Sequence, residues 1–255
     1  MLIAHLSDLH LYTQRSETGQ APRDICLVVE RIARDLLSLA PRPDLVVISG
    51  DLADGGTEED YRQIRELLEP LPMPVLAVPG NHDRREAMRC VLGERLAGLQ
   101  EGEFLHSRVD MSGVTLLGLD SVVAGRPEGA LCGKRLDWLE RELEKTQPLV
   151  FLVMHHPPFS TGNPHWDAYS LIEGRERFTA IIDASPKRIL CGHIHQPLHI
   201  HWGAHYGAIA GSPAFQYHLV PGSTAAPTES QVSYSYPLHY CQPDGSVLVH
   251  LRHIM

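Results

Sequence analysis

Five times along the chain a short apolar run breaks off at a cluster of Asp, Asn and His. The stretches are "LIAHLSDLH" (2–10), "LVVISGD" (45–51), "VLAVPGNHD" (75–83), "LVFLVMHH" (149–156) and "ILCGHIH" (189–195). Runs this short, bounded by polar residues, Gly or Pro, read as buried strands. Helical patterns separate the first three. Ile25, Val28, Val29, Ile32, Leu36 and Leu39 recur at helical spacing within 23–40, and Pro41 and Pro43 close that segment. The stretch 57–69 opens with Thr57 as an N-cap, followed by acidic residues that favour a helix N-terminus. Strand–helix–strand alternation requires right-handed crossovers and hence a parallel sheet. Such sheets bind ligands just beyond the carboxyl ends of their strands, where the polar clusters fall.

After position 100 the pattern shifts. "EFLHSRVD" and "GVTLLGLDS" read as strands joined by a turn around Ser112-Gly113, and 133–146 as an amphipathic helix with Leu136, Leu139 and Leu143 on one face. A helix-like segment lies near 168–183. From about 197, "PLHIHW", "HYGAIAG", "QVSYSYPLHY" and "SVLVHLRHI" suggest short antiparallel strands that complete a second sheet. The segment 221–230 reads as a surface loop. With no repeat and no dividing linker, the 255 residues are expected to form one α/β domain, 1–255, with two packed sheets and helices outside.

Charge and cysteine usage narrow the partners. The formal net charge is -9 and no basic stripe is present, which argues against nucleic acid and anionic membrane as partners. The five cysteines have no CxxC spacing, so free thiols in a reducing compartment are expected. "MLIAHLSDLH" has no basic leader, and no apolar run approaches the roughly 20 residues that span a bilayer. A cytoplasmic protein is expected. Its sixteen histidines fit a chain that handles metal.

Each polar cluster has a bland reading: a surface turn for Asp8-Leu9-His10, a turn former for Asp51, a capped turn for Asn81-His82-Asp83. Five clusters at successive strand ends leave coincidence little room. Asp8 and His10, like His193 and His195, stand at i and i+2, and in extended backbone such side chains share one face. Carboxylate, amide and imidazole together suit zinc, iron or manganese, and are too rich in nitrogen for calcium or magnesium.

The ordered set Asp8-Leu9-His10, Gly50-Asp51, Gly80-Asn81-His82-Asp83, His155 and Gly192-His193-Ile194-His195 resembles the calcineurin-like metallophosphoesterases. "RPDLVVISGDLADGG" and "FLVMHHPPFSTGN" extend the likeness towards the bacterial cyclic-nucleotide and glycerophosphodiester phosphodiesterases, over roughly residues 1–215. The resemblance implies a four-layer αββα sandwich of two mixed sheets flanked by helices. It also implies two divalent or trivalent metal ions (Fe, Mn or Zn). Asp8, His10 and His195 would hold one, Asn81, His155 and His193 the other, and Asp51 would bridge them at the about 3.5–4 Å spacing of two-metal hydrolysis. The implied reaction is attack of a metal-bridging hydroxide on a small phosphodiester such as cyclic AMP or a glycerophosphodiester. With two divalent ions set against Asp8, Asp51 and the bridging hydroxide, the centre would keep about one positive charge, suited to a diester monoanion. His82 would contact the phosphate or protonate the leaving alkoxide, so His82 and Asp51 are the expected catalytic residues.

Asp83 reads equally as an orienting partner or as a helix N-cap. Asn163 and His165, in the loop "TGNPHWDAY", are expected to touch substrate. Selectivity should arise in the loops 12–22, 159–170 and 212–236, where Tyr12, Trp166, Tyr169 or Phe215 could stack on a base. His5 and His156 read as structural, and His199, His201 and His205 as strand residues beyond a completed ligand set. The related alternatives are a phosphomonoesterase, protein phosphatase or nuclease on the same core, or a non-catalytic scaffold. A homodimer through the C-terminal strands is also expected to be open to the chain.

Overall fold

The computed structural model describes residues 1–13, 25–230 and 233–254. The first half runs β1 (Leu2–Leu6), α1 (Ile25–Ser38), β2 (Leu45–Ile48), α2 (Glu58–Leu68), β3 (Val75–Ala77) and α3 (Arg85–Leu92). The middle runs β4 (Ser107–Met111), β5 (Val114–Leu119), β6 (Gly129–Ala130), α4 (Gly133–Leu143), β7 (Leu149–Met154), α5 (Pro164–Asp167), β8 (Leu171–Glu173), α6 (Arg175–Ile182) and β9 (Arg188–Cys191). The last part holds β10 (Leu198–Trp202), β11 (His205–Ile209), β12 (Gln216–His218), β13 (Thr228–Ser230), β14 (Ser235–Cys241) and β15 (Val247–His253).

Two sheets carry the fold, in the orders β15-β14-β1-β2-β3 and β10-β11-β9-β7-β5-β4. Alternation along each strand divides its side chains between two layers. Ile3, Leu45, Val47 and Leu76 face Leu116, Phe151, Val153 and Leu190 of the other sheet. Ala4, Leu6, Val46 and Ile48 face outward and pack with Ile32 and Leu36 of α1, Ile64 of α2 and Met88 of α3. On the far side Leu117, Leu119, Leu152 and Met154 pack with Leu136 and Leu139 of α4 and Phe178 of α6. The layers run helix, sheet, sheet, helix, as the resemblance implies, and both sheets mix parallel and antiparallel pairs.

Local chemistry sets several boundaries. Thr57 Oγ1 accepts from Asp60 N while the Asp60 side chain accepts from Thr57 N, a reciprocal cap that starts α2. Ser112 and Gly113, both at positive φ, form the two-residue turn between β4 and β5.

The C-terminal strands differ from expectation. β10 and β11 join the second sheet, but β14 and β15 join the first. β1 carries the first sheet's buried residues and would otherwise leave an unpaired edge. β14 covers it, placing Tyr236 and Leu238 on the helix side and Cys241 between the sheets. The segment 221–230 is also more ordered than a loop, since Thr228–Ser230 pairs with Gln216–His218 as β13 with β12.

Buried histidines make this fold sensitive to acid. His106 stacks on Trp138 with ring centroids 4.3 Å apart, and its Nδ1 accepts from Asp120 N at 3.2 Å. Burial pushes its pKa down to about 4, and that of His5 to about 3. Because the folded values lie below the unfolded value, the neutral rings cost nothing above about pH 6.5, and stability falls as pH drops from there towards the folded pKa. His106 alone contributes a loss of about 3 kcal/mol at most by pH 4. Urea midpoints measured from pH 7 to 4.5 should fall, and His106→Gln should flatten the decline.

Candidate metal centre

The polar clusters converge at one end of the two sheets, held by bonds that run past the strand ends. Asp8 N donates to Gly50 O, His10 N to Asp51 O and Leu11 N to Leu52 O, so the segments after β1 and β2 remain paired. Asp8, His10, Asp51, His193 and His195 all adopt positive φ, from 45 to 73°. The only other non-glycine residue that does so among the described residues is Ser112, in its hairpin turn. Side chains resist this region, and such strain gathers at functional sites. Here the structure departs from the sequence reading: the i, i+2 pairs are brought round by left-handed turns, not by extended alternation.

The motif glycines make the convergence possible. A Cβ on Gly80 would collide with the Asp51 carboxylate, and one on Gly192 with Ser7 Oγ and the Asp8 carboxylate. Each thus clears space for an acidic side chain delivered by another strand.

The donor set can be assigned atom by atom. His10 Nδ1 donates to Asp54 Oδ1 at 3.1 Å, which leaves Nε2 as a lone pair. His195 Nδ1 donates to Phe215 O at 3.1 Å, so its Nε2 is also a lone pair. These two nitrogens lie 3.0 Å apart, with Asp8 Oδ1 3.3 Å from His195 Nε2 and Asp51 Oδ2 3.7 Å from His10 Nε2. A second group stands beside the first. His155 Nδ1 donates to Ser49 O at 2.8 Å, and its Nε2 faces Asn81 Oδ1 at 3.1 Å, His193 Nδ1 at 3.2 Å and Asp51 Oδ2 at 3.3 Å. Carboxylate, amide and imidazole atoms that can each offer a lone pair therefore crowd together, 3.0 to 3.7 Å apart, and need a positive charge between them. Cations satisfy such an arrangement, and the ligand types fit divalent transition metals. Asp51 Oδ2 belongs to both groups.

The electrostatics agree. Burial opposes its charge, yet the neighbouring His155 holds Asp51 well below the usual carboxylate range. Burial likewise opposes a charge on His155, but Asp51 lifts it to about 9. The carboxylate calls for a positive partner here, which either a proton or a metal ion supplies. Burial keeps His193 well below the ordinary imidazole value, in the neutral form that can act as a ligand.

Asp54, the Ser49 carbonyl and the Phe215 carbonyl orient three of the imidazoles; the sequence suggested none of these roles, and Phe215 only as a stacking side chain. Asp54 had one available signal, its place three residues after Asp51 in "GDLAD". Asp83 follows neither of its two readings directly: its carboxylate ties two loops together instead of bonding His82 or a ligand side chain, and it does not cap α3. It accepts from Leu52 N, Ala53 N, Gly80 N and Tyr61 Oη, tying the Asp51 loop to the Asn81 loop. The N-cap of α3 is Arg84 instead, without a side-chain bond.

A cavity of about 340 Å³ opens onto the centre. His10, Asp51, Asn81, His82, His193 and His195 form its floor, and its walls include His165, Trp166, Tyr169, Phe215 and Tyr217. Tyr217 is an aromatic wall residue that the sequence reading missed, and Tyr12 is not among the lining residues. His82 N donates to Asp51 Oδ1 at 2.8 Å, and its Nδ1 donates to Asp54 O at 3.1 Å, which leaves Nε2 free of that bond. Asn163 is buried and is not part of the lining. Its Oδ1 accepts from His165 N and Trp166 N, capping α5 and holding both residues in the wall. His156 lies against His155 and His193, but both its nitrogens are engaged, by Ser121 Oγ and Pro127 O. His199, His201 and His205 stand on the β10–β11 hairpin, and His205 bonds Lys187 N and Asp183.

The family model described as calcineurin-like phosphoesterase matches residues 1–197. The chain belongs to this family. It is an enzyme of the phosphoesterase class, in a family that uses divalent metal ions. A probable glycerophosphodiester phosphodiesterase of Arcobacter nitrofigilis is 30% identical over 257 residues, covering 100% of this chain and 93% of that protein. A 3',5'-cyclic-nucleotide phosphodiesterase of Nostoc is 31% identical over 233 residues, covering 87% of this chain and 81% of the relative. Among solved structures, a purple acid phosphatase from yellow lupin superposes with a TM-score of 0.67 at 12% identity. That match covers 99% of this chain and 51% of the plant protein, and it shows a shared phosphoesterase fold. Among the described residues, no helix is long and apolar enough to cross a membrane.

Proposed function

We propose that this calcineurin-like phosphoesterase hydrolyses a small phosphodiester at a binuclear metal centre. The observation that carries the reading is Asp51 Oδ2, which lies 3.7 Å from His10 Nε2 in one group and 3.3 Å from His155 Nε2 in the other. Asp8, His10 and His195 would hold one ion (iron, manganese or zinc), Asn81, His155 and His193 the other, and Asp51 both. When bound, such a pair polarises phosphoryl oxygens and makes water a competent nucleophile near neutral pH.

The chain's own residues do the rest. Asp54, Ser49 and Phe215 fix which nitrogen of each imidazole faces the centre. The bond from His82 Nδ1 to Asp54 O turns Nε2 to the cavity, where the imidazolium form can give its Nε2 proton to the leaving oxygen and return to the neutral Nδ1–H ring. No Lys or Arg is among the described lining residues, so no guanidinium or ammonium waits for the second charge of a monoester dianion. This favours a diester monoanion. Trp166, Tyr169, Phe215 and Tyr217 offer flat apolar surface for a base, which favours a cyclic nucleotide over a glycerophosphodiester. His165, in the same wall, would contact the substrate's outer part, and Asn163 would act through the turn it caps.

The chain would work as one domain. The five free cysteines support a reducing compartment such as the cytoplasm. Tyr240, Leu248 and Leu251, exposed on the β14–β15 hairpin, support a homodimer across that edge. The metal-loaded enzyme should turn over bis-p-nitrophenyl phosphate and cyclic AMP faster than p-nitrophenyl phosphate, by kcat/KM. Faster monoester hydrolysis would overturn the diesterase reading.

A further inference from the structure

Four imidazoles face the centre, and each has a second ring nitrogen directed away from it. For three of them an oxygen receives that outer N–H: Asp54 for His10, the Ser49 carbonyl for His155 and the Phe215 carbonyl for His195. His193 differs. Its Nδ1 is the atom turned to the centre, 3.2 Å from His155 Nε2, so Nε2 is the outer nitrogen. That atom is buried and has no hydrogen-bond partner.

A buried N–H without an acceptor costs about 1–3 kcal/mol, and an imidazole with an unheld outer nitrogen is poorly fixed as a ligand. The indole of Trp166 stands against this ring. The two centroids are 5.5 Å apart and the planes cross at 80°, an edge-to-face geometry of the kind that lets a ring N–H meet a π-face. His156 also touches the ring, at 4.8 Å, but tilted by 55°. Indole has the most electron-rich face of the side chains, and positive charge drawn to Nδ1 would make Nε2–H a stronger donor to it.

We infer that Trp166 is the positioning residue for His193, with its indole face receiving the Nε2–H where the other three imidazoles have an oxygen. This rests on the metal-centre reading above. It also gives the loop at 160–169 a route to the centre: Asn163 caps α5, α5 carries Trp166, and Trp166 holds His193.

Two measurements test the inference. In histidine-selective ¹⁵N spectra of the metal-free protein, the His193 Nε2–H should resonate upfield of the other bonded ring protons, shifted by the indole ring current. That shift should vanish in Trp166→Leu and partly return in Trp166→Phe. Calorimetric titration of stripped protein with Mn²⁺ should show one of the two sites weakened about tenfold in Trp166→Leu, the other unchanged, and Trp166→Phe closer to wild type. An unshifted His193 proton in the wild type, or wild-type affinity at both sites in Trp166→Leu, would overturn the role of Trp166 alone. A wild type that bound no Mn²⁺ would overturn the metal centre and this inference with it. Should Trp166→Leu fail to fold, the wild-type proton shift and the Trp166→Phe titration decide the matter.

Discussion

Asp51→Asn should abolish activity by weakening both metal positions at once. The substitution keeps the size of the side chain but removes the charge and one acceptor oxygen. Oδ2 lies 3.3 Å from His155 Nε2 and 3.7 Å from His10 Nε2, so an amide nitrogen there would aim hydrogens at two groups of lone pairs. The loss of charge also removes the partner that lifts His155 to about 9 against its burial. A rate loss of at least about 10³-fold, some 4 kcal/mol of transition-state stabilisation, is expected. The deciding readout is metal content after reconstitution, by plasma emission spectrometry. An Asp51→Asn variant that still held two ions and turned over normally would exclude a shared role for this carboxylate.

His82→Ala should have the second-largest effect and a different signature. His82 lies outside both groups, its side chain is 31% exposed and it lines the cavity. Its removal should leave metal content unchanged and lower kcat by about 10²–10⁴-fold, the range for a positioned proton donor. The loss should depend on the leaving group. An alkoxide needs the proton and should suffer fully, whereas p-nitrophenolate departs without one and should suffer little. Equal losses for both leaving groups would assign His82 to phosphate binding instead. Loss of metal would make it a ligand.

The five clusters were legible because their chemistry is local: each is an uninterrupted run of side chains at the end of an apolar strand. The parallel run of β1, β2 and β3 was legible from its strand–helix alternation, whereas the parallel core of the second sheet was implied only through the family resemblance. Partners that are backbone atoms were not, since the Ser49 and Phe215 carbonyls leave no trace in residue type. Asp54 resembled any turn aspartate, because its distinction is its distance to His10 across the junction of β1 and β2. The placement of β14 was hidden because it pairs with β1 from the opposite end of the chain, where sequence proximity gives no guide. Asp83 had two local readings that geometry replaces with a third: Leu52 N, Ala53 N and Tyr61 Oη from other segments, with Gly80 N of its own loop, claim its carboxylate, so α3 goes without a side-chain cap. Asn163 belonged to a loop correctly associated with the pocket. As an N-cap, however, its side chain turns back to the backbone it stabilises.

The binuclear centre is tested most directly by counting ions against activity. Stripped protein titrated with Mn²⁺ or Zn²⁺ and followed by native mass spectrometry should take up two ions per chain. Hydrolysis of bis-p-nitrophenyl phosphate, measured on the same samples, should rise with occupancy of the second. Saturation at one ion, or full diester hydrolysis by the chelated protein, would contradict it.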